Sequence, residues 1–266
     1  MLKLLPFLRP ARDTKVLVYL HGIEAWRTFG YFDRALWHRV DLALSNSTFT
    51  WKRCLEFNRA LASVPWKHVA LGYEEPAPDS APNSSLPRAI MVGRMEPGED
   101  YKGHRQVLRA WPRVTERIPG AELVIVGGGA LVPDFQRIAA ESPAQDSIRF
   151  TGAICDKEKD SLLREASCLL MPSSGEGFGI VYLEAMRYGK PCLVSTLDAG
   201  QEVVGPEAGI AVDREDPDAM ADAIVRLLAD TPERRRIGNA ARERYESQFT
   251  AQHFRKRLID AIASVG

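Results

Sequence analysis

A glycine-rich stretch with two glutamates carries the clearest chemical signal in the sequence. Residues 172–179 read PSSGEGFG, which puts Glu176 in a loop and Glu184 in the second turn of the helix that follows. Glycines let a backbone approach a ligand closely, and the free amides of a helix N-terminus attract anions. Because two carboxylates repel phosphate, we expect them to accept hydrogen bonds from sugar hydroxyls instead. The alternative is a helix-capping glutamate beside a surface glutamate.

Two cations follow another predicted strand. Arg94 leaves the strand at 89–92 directly, and Lys102 opens the next predicted helix. The planar fork of arginine and the compact charge of lysine both suit a diphosphate. The pair alone is equally compatible with two ordinary surface cations.

A third loop, Gly127-Gly128-Gly129, resembles part of a dinucleotide-binding fingerprint. Val132 stands where the last glycine of that fingerprint belongs, and no acidic residue follows at the expected place. A nicotinamide-dependent oxidoreductase is therefore disfavoured, and tight turning between a strand and a helix explains the glycines. His21 follows a short apolar strand and precedes Gly22, so it faces either a cleft or the core.

No metal site is expected. The histidines lack metal-binding spacing, and the four cysteines form no CxxC pair, which suits a reducing cytosol. Asp216-Pro217-Asp218 spells a D-x-D motif, but it precedes a helical pattern and is typical of a helix cap with proline in the first turn.

The elements that position these loops alternate between strand and helix. Apolar strands in such an alternation predict a parallel, doubly wound sheet covered on both faces, with ligands at the carboxyl ends of its strands. The segment before the Pro/Ser-rich stretch has room for about two or three strands at typical lengths. We predict a partial N-terminal Rossmann-like domain at 1–75, a linker at 76–87, a larger Rossmann-like domain at 88–246 and a C-terminal helix at 247–266.

Net charge and hydropathy limit the classes of partner that the protein is expected to have. The 35 basic side chains equal the 35 acidic ones, whereas nucleic-acid binding normally needs a basic excess. No apolar run has the length of a membrane-spanning helix, and the apolar start at 1–9 is too short for a signal peptide. We expect a cytoplasmic protein that binds no nucleic acid.

Together these strings resemble the GT-B glycosyltransferases, in particular the retaining glycosyltransferase family 4 (glycosyl transferases group 1). Members are similar to bacterial mannosyl- and rhamnosyltransferases of cell-surface polysaccharide biosynthesis. Glu176 and Glu184 match the family's E-x7-E motif. The other matching strings are VGRM at 92–95, YKG at 101–103, VIVGGG at 124–129, FTG at 150–152 and YLEAM at 182–186.

The resemblance implies a function and a set of roles, and it makes 88–246 the nucleotide-sugar donor-binding domain. A sugar passes from a nucleotide-sugar donor (GDP- or UDP-hexose) to a glycan or lipid-linked acceptor, with retention at the anomeric carbon and with neither metal nor cofactor. Glu176 and His21 are expected at the transferred sugar, and Glu184 at the ribose. The expected binding residues for diphosphate and sugar are Arg94 and Lys102, and the backbone amides of Gly177, Phe178, Gly179 and Ile180.

The sequence also departs from the family. Relatives begin with a further sheet half carrying a glycine-rich acceptor loop, and their Gly-Gly-x-Pro-Glu motif reads DAGQE at 198–202 here. We therefore keep a second hypothesis, a non-catalytic nucleotide-sugar-binding module that needs a partner chain. Peripheral association with the inner face of the membrane, and a homo-oligomer or complementing chain, stay open as further partners.

Overall fold

The computed structural model describes residues 13–77, 87–229 and 231–266. The first part of the chain forms a small parallel sheet with strands in the order β1-β2-β3. Its elements are β1 (Leu17–Leu20), α1 (Tyr31–Leu36), β2 (Leu42–Ser45), α2 (Thr48–Phe57) and β3 (Trp66–His68). The predicted count of two or three strands agrees with this sheet.

The second part forms a six-stranded, fully parallel sheet. Its strands are β4 (Arg88–Val92), β5 (Glu122–Val126), β6 (Ile148–Gly152), β7 (Cys168–Met171), β8 (Cys192–Ser195) and β9 (Gly209–Val212). Their order is β6-β5-β4-β7-β8-β9, so the winding direction reverses between β4 and β7. A crevice opens at the carboxyl ends of strands where the order reverses, and ligands of doubly wound sheets bind there.

Helices cover both faces of this sheet, as the continuous apolar strands predict. They are α3 (His104–Arg117), α4 (Val132–Ala140), α5 (Asp156–Glu165), α6 (Ile180–Met186), α7 (Gly200–Val204), α8 (Pro217–Leu228) and α9 (Pro232–Gln248). Successive residues of β4 point to opposite faces: Met91 packs with Trp111 in one apolar cluster, and Ile90 with Tyr182 in the other. Burial on both faces fixes the position of the loops at the strand ends.

The last helix, α10 (Ala251–Ala263), returns to the first sheet. Its Ala261 and Phe254 pack against Leu42 and Leu44 of β2. The crossing is tight, because a Cβ added at Gly72 would lie 2.5 Å from the carbonyl oxygen of Thr250. The C-terminal helix expected at 247–266 therefore spans Ala251–Ala263 and packs on the first sheet, although it follows the second sheet in the chain.

Three elements differ from what the sequence predicts. The strand β3 and the helix α7 were not predicted, and the helix expected from Lys102 begins at His104 after a 3₁₀ turn over Pro97–Lys102. Part of the predicted linker (78–86) and the start of the chain (1–12) lie outside the described residues. The domain boundaries stay a prediction. Within the described residues, no helix has the length and apolar character needed to cross a bilayer.

Candidate active site

The two most informative loops meet at the crevice between β4 and β7. Arg94 follows the end of β4, and Glu176 lies in the loop after β7. The 3₁₀ turn that ends in Lys102 packs on the β7 loop, where the amide of Ser174 donates to the carbonyl of Tyr101 at 3.0 Å. The strand reversal thus brings the turn that ends in Lys102 to the loop that carries Glu176, while Arg94 follows the neighbouring strand.

Lys102 is a buried cation whose chain runs over Gly93. A Cβ added at Gly93 would lie 3.0 Å from Cδ and 3.3 Å from Nζ of Lys102, so glycine leaves the space that the lysine fills. The ammonium donates to Oε2 of Glu99 at 3.1 Å, and Arg94 donates to Oε1 of the same carboxylate. Arg94 is otherwise open to solvent, with 77% of its side chain exposed. Both cations therefore meet at one anionic group at the mouth of β4.

The glycines after β5 have a packing role. A Cβ at Gly127 would lie 2.0 Å from the carbonyl oxygen of Gly93, and one at Gly129 would lie 2.3 Å from that of Met95. Both glycines also have positive φ, a conformation that side chains disfavour. They let the β5 loop lie directly against the β4 loop, which supports the interpretation as a tight turn.

Glu176 is held in the crevice through its backbone. Its amide donates to Oδ2 of Asp198 at 2.9 Å, and its carbonyl accepts from the amide of Ala199 at 3.2 Å. Burial raises the pKa of the Glu176 carboxyl to about 7; Lys102 opposes this shift, and Asp198 and Glu99 add to it. A carboxyl that titrates near neutrality can exchange hydrogen bonds with polar ligands in either protonation state.

The loop carrying Glu176 also touches the first sheet. A Cβ added at Gly177 would lie 2.2 Å from the carbonyl oxygen of His21 and 2.7 Å from Cα of Gly22. The hydroxyls of Ser47 and Thr50 donate to the Gly177 carbonyl at 2.7 and 3.1 Å. His21 is exposed and its ring lies 4.4 Å from that of Tyr19. The structure thus brings His21, from the far sheet, next to the predicted sugar loop.

The residues after Gly177 differ in how their side chains are used. Phe178 is buried and meets the ring of Phe249 edge-on, so its side chain belongs to the core. Gly179 has a φ of +84°, and a Cβ there would lie 2.4 Å from the ring of Tyr182. Ile180 opens α6 and is 44% exposed. Their predicted role rests on backbone amides and is untested.

Glu184 lies on α6 and is buried with an ionic partner. Its Oε1 accepts a hydrogen bond from Nζ of Lys159 at 2.8 Å, and Lys159 also pairs with Asp156 at 3.1 Å. The pKa of Lys159 is raised, because the contacts with Glu184 outweigh its burial. The lysine holds the carboxylate in one orientation on the second turn of the helix.

The D-x-D motif acts as the expected helix cap. The Asp216 carboxylate accepts from the amides of Asp218 and Ala219 at 3.0 and 2.9 Å, with Pro217 in the first position of α8. Among residues 13–77, 87–229 and 231–266, no group of three or more His, Cys, Asp or Glu side chains is arranged to hold a metal ion.

Comparison with known protein families identifies the family of this chain. Residues 74–244, more than half of the chain, match the family model described as glycosyl transferases group 1. The chain belongs to the glycosyl transferases group 1 family. The expected family, and with it the expected class of enzyme, is confirmed.

Two relatives of this chain are mannosyltransferases by name. The GDP-mannose-dependent alpha-(1-6)-phosphatidylinositol monomannoside mannosyltransferase of Mycobacterium tuberculosis is 28% identical over 97% of this chain and 72% of its own length. The phosphatidyl-myo-inositol mannosyltransferase of the same organism is 34% identical over 66% of this chain and 48% of its own length.

Solved structures of the same fold confirm the GT-B architecture. Anabaena Alr3699/HepE in complex with UDP matches with a TM-score of 0.79 at 17% identity, covering 94% of this chain and 72% of that one. S. aureus TarM matches with a TM-score of 0.77 at 13% identity, covering 96% of this chain and 52% of that one. Structural similarity at such low sequence identity shows that the fold is shared and nothing beyond the fold.

The sequence analysis assigned no role to several residues that the structure places at the candidate site. Asp198 follows β8 and holds the backbone of Glu176, and Lys159 orients Glu184. Arg214 follows β9, is buried, and donates to the carbonyl of Tyr101 and the hydroxyl of Ser174, each at 2.7 Å. Polar residues directly after β8 and β9 at the binding edge of the sheet were the available signal for Asp198 and Arg214.

Proposed function

We propose that this protein transfers a hexose from a nucleotide-sugar donor to a glycan or lipid-linked acceptor, with retention at the anomeric carbon and without a metal ion. The observation that carries the proposal is the convergence of Lys102, Arg94 and Glu176 at the strand reversal of the larger sheet. His21 approaches the same loop from the smaller sheet. Phosphate-binding cations and a sugar-facing carboxyl at one crevice suit a nucleotide-sugar.

The choice of donor rests on the chemistry of the two cations and on the similarity of the chain to known proteins. Two clustered cations favour a diphosphate, whose oxygens accept several charge-assisted hydrogen bonds. One of the two mannosyltransferase relatives is GDP-mannose-dependent by name, and the HepE neighbour was solved with UDP, so GDP- and UDP-hexoses are the donors to test. The relatives' names contain phosphatidylinositol monomannoside in one case and phosphatidyl-myo-inositol in the other, which supports a lipid-linked acceptor at a membrane surface.

Each residue then has a role in the transfer. The acceptor hydroxyl attacks the anomeric carbon on the side of the leaving group as the bond to the diphosphate oxygen breaks. The hydroxyl proton passes to the departing diphosphate. Lys102 and Arg94 stabilise the negative charge that develops on the diphosphate, which is the main protein contribution to such a reaction. Glu176 and His21 orient the sugar, and Glu184 binds the ribose hydroxyls with the carboxylate that Lys159 holds.

The proposal is tested in two steps. Isothermal titration calorimetry with UDP, GDP and their hexose conjugates should find one nucleotide that binds, and a chelator should leave that binding unchanged. The preferred donor is then incubated with lipid-linked and sugar acceptors, and the anomeric configuration of the product is read by NMR. A product of inverted configuration contradicts retention. Donor binding without transfer to any acceptor supports the binding module that needs a partner chain.

A further inference from the structure

One carboxylate accepts hydrogen bonds from both of the cations that are assigned to the donor diphosphate. Oε1 of Glu99 accepts from Arg94, and Oε2 accepts from Nζ of Lys102 at 3.1 Å. This pairing differs from an ordinary surface ion pair in its burial, because the side chains of Lys102 and Glu99 are only 10% and 16% exposed. Exposed pairs contribute little to stability, whereas a partly buried pair is screened less by water.

Glu99 and a diphosphate would compete for the ammonium of Lys102. The Lys102 side chain is only 10% exposed and runs over Gly93, and its ammonium donates to Oε2 of Glu99, so a phosphate oxygen that reaches this ammonium meets the Glu99 carboxylate. If Glu99 stayed, its charge would repel the diphosphate at close range. The charged groups that act on Glu176, namely Lys102, Asp198 and Glu99, include two carboxylates for one cation, so Glu99 adds negative charge where an anion must bind.

We propose that Glu99 is an affinity-setting residue that competes with the donor diphosphate for Arg94 and Lys102. This inference rests on the proposed function. While no donor is bound, the carboxylate holds Lys102 in position. Anions that bind the two cations more weakly than this bidentate carboxylate, such as inorganic phosphate, cannot displace it. A nucleoside diphosphate displaces it, because its two phosphate groups offer more charge and its nucleoside adds further contacts. Glu99 thereby makes productive binding depend on the whole nucleotide.

The contrasting residue is Glu96, in the same loop. Its Oε2 accepts from the amide of Ala130 at 3.4 Å, its side chain is exposed, and no contact joins it to Arg94 or Lys102. Glu99→Gln and Glu96→Gln therefore remove the same charge from one loop, but only the first releases the two cations. Any general effect of net charge on anion binding appears equally in both variants.

The test is calorimetry of UDP, GDP and inorganic phosphate with the wild type, Glu99→Gln and Glu96→Gln. We expect Glu99→Gln to bind the preferred nucleoside diphosphate about tenfold more tightly and to gain measurable affinity for inorganic phosphate, while Glu96→Gln behaves as the wild type; tenfold corresponds to about 1.4 kcal/mol. In Glu99→Gln/Lys102→Ala the gain should disappear. Unchanged or weaker binding by Glu99→Gln overturns the inference.

Two outcomes separate this inference from the proposed function. If the wild type and Glu99→Gln both bind neither nucleotide, the proposed function fails. If the wild type binds and Glu99→Gln does not bind more tightly, the role of Glu99 alone fails. Should Glu99→Gln not fold, Glu99→Asp supplies the second variant: its shorter side chain cannot span both cations, and it should still raise nucleotide affinity over the wild type.

Discussion

The hydroxyl of Ser47 donates to the backbone carbonyl of Gly177 at 2.7 Å, which joins two residues that are 130 positions apart. The same hydroxyl oxygen accepts from the amide of Thr50 at 3.0 Å and so caps α2. One buried side chain therefore caps the first turn of α2, the helix after β2, and also holds the loop that carries Glu176 in position. The loop can take up its present position only when the two sheets lie together.

Ser47→Ala should lower the free energy of unfolding by about 1–2 kcal/mol, the upper part of the range of about 0.5–2 kcal/mol for losing a helix cap. The loss has two parts here, because the Gly177 carbonyl also loses one of its two donors. Urea denaturation measures the change. Ser63→Ala, at an exposed position in the 3₁₀ turn Arg59–Ser63 that follows α2, is the matched control. Equal stability of the two variants would contradict the role of Ser47.

Glu202 makes a second contact between the sheets. Its carboxylate accepts from the amides of Thr48 and Phe49 at 2.8 and 3.0 Å, at the positive end of α2. Glu202→Ala leaves both amides without this acceptor, so we expect a loss of about 1–2 kcal/mol in the free energy of unfolding. Urea denaturation of Glu207→Ala, whose side chain is 76% exposed and pairs with Arg236, gives the baseline for a surface glutamate. A loss no larger than that baseline argues against the contact.

The sequence predicts the larger sheet well, because its strands are buried on both faces and therefore read as continuous apolar runs. The strand β3 escaped prediction for the opposite reason: its three residues, Trp66–His68, are all exposed at a sheet edge. Spacing located Arg94, Lys102, Glu176 and Glu184 because each lies near the carboxyl end of a strand or at the start of a helix.

The partners of those residues could not be predicted in the same way. Glu99 reaches both cations only because residues 97–102 form a 3₁₀ turn, and a polar loop gives no periodic signal for that turn. Glu202 meets Thr48 and Lys159 meets Glu184 through the packing of whole elements. Contacts of that kind depend on how the helices lie on the sheets, which local sequence does not encode.

Arg94→Ala and Lys102→Ala should each weaken binding of the nucleoside diphosphate by about 1.5–3 kcal/mol, the range for hydrogen bonds to charged groups. The loss with Lys102→Ala should be the larger, because its ammonium is buried and Arg94 is open to solvent. Calorimetry measures both affinities. Arg137→Ala, an exposed arginine on α4, controls for the loss of one positive charge. Affinities unchanged from the wild type would exclude the assigned diphosphate site.

Substitutions of Glu176 and Glu184 should have different effects, because the two glutamates are assigned to different parts of the donor. Glu176→Gln should abolish transfer and leave the affinity for the bare nucleotide nearly intact, because its carboxyl is assigned to the sugar. Glu184→Ala should weaken the nucleotide itself, and Lys159→Ala should do so to a smaller degree, because that lysine orients Glu184. Transfer assays beside calorimetry of the bare nucleotide give both readouts. Equal losses of nucleotide affinity in Glu176→Gln and Glu184→Ala would show that the roles are wrongly assigned.

The titration of Glu176 should be visible in the stability of the protein. Burial raises the pKa of this carboxyl from an ordinary value of 4.5 to about 7; Lys102 opposes the shift, and Asp198 and Glu99 reinforce it. The native state therefore holds the proton more tightly than the unfolded chain does. The stabilisation that results is complete below the unfolded pKa and is lost as the pH rises through the native pKa, because the native state must then bury a charge.

Glu176→Gln carries no ionisable proton at this position, so it should gain stability relative to the wild type as the pH rises from about 4.5 to about 7, and the difference should then level off. Urea midpoints of the wild type and the variant across that interval measure the difference directly, and titrations common to both proteins cancel. Glu96→Gln, an exposed carboxyl in the neighbouring loop, is the matched control and should run parallel to the wild type. If Glu176→Gln also runs parallel to the wild type, Glu176 ionises as an ordinary surface carboxyl does, and burial in the crevice has no effect on its charge.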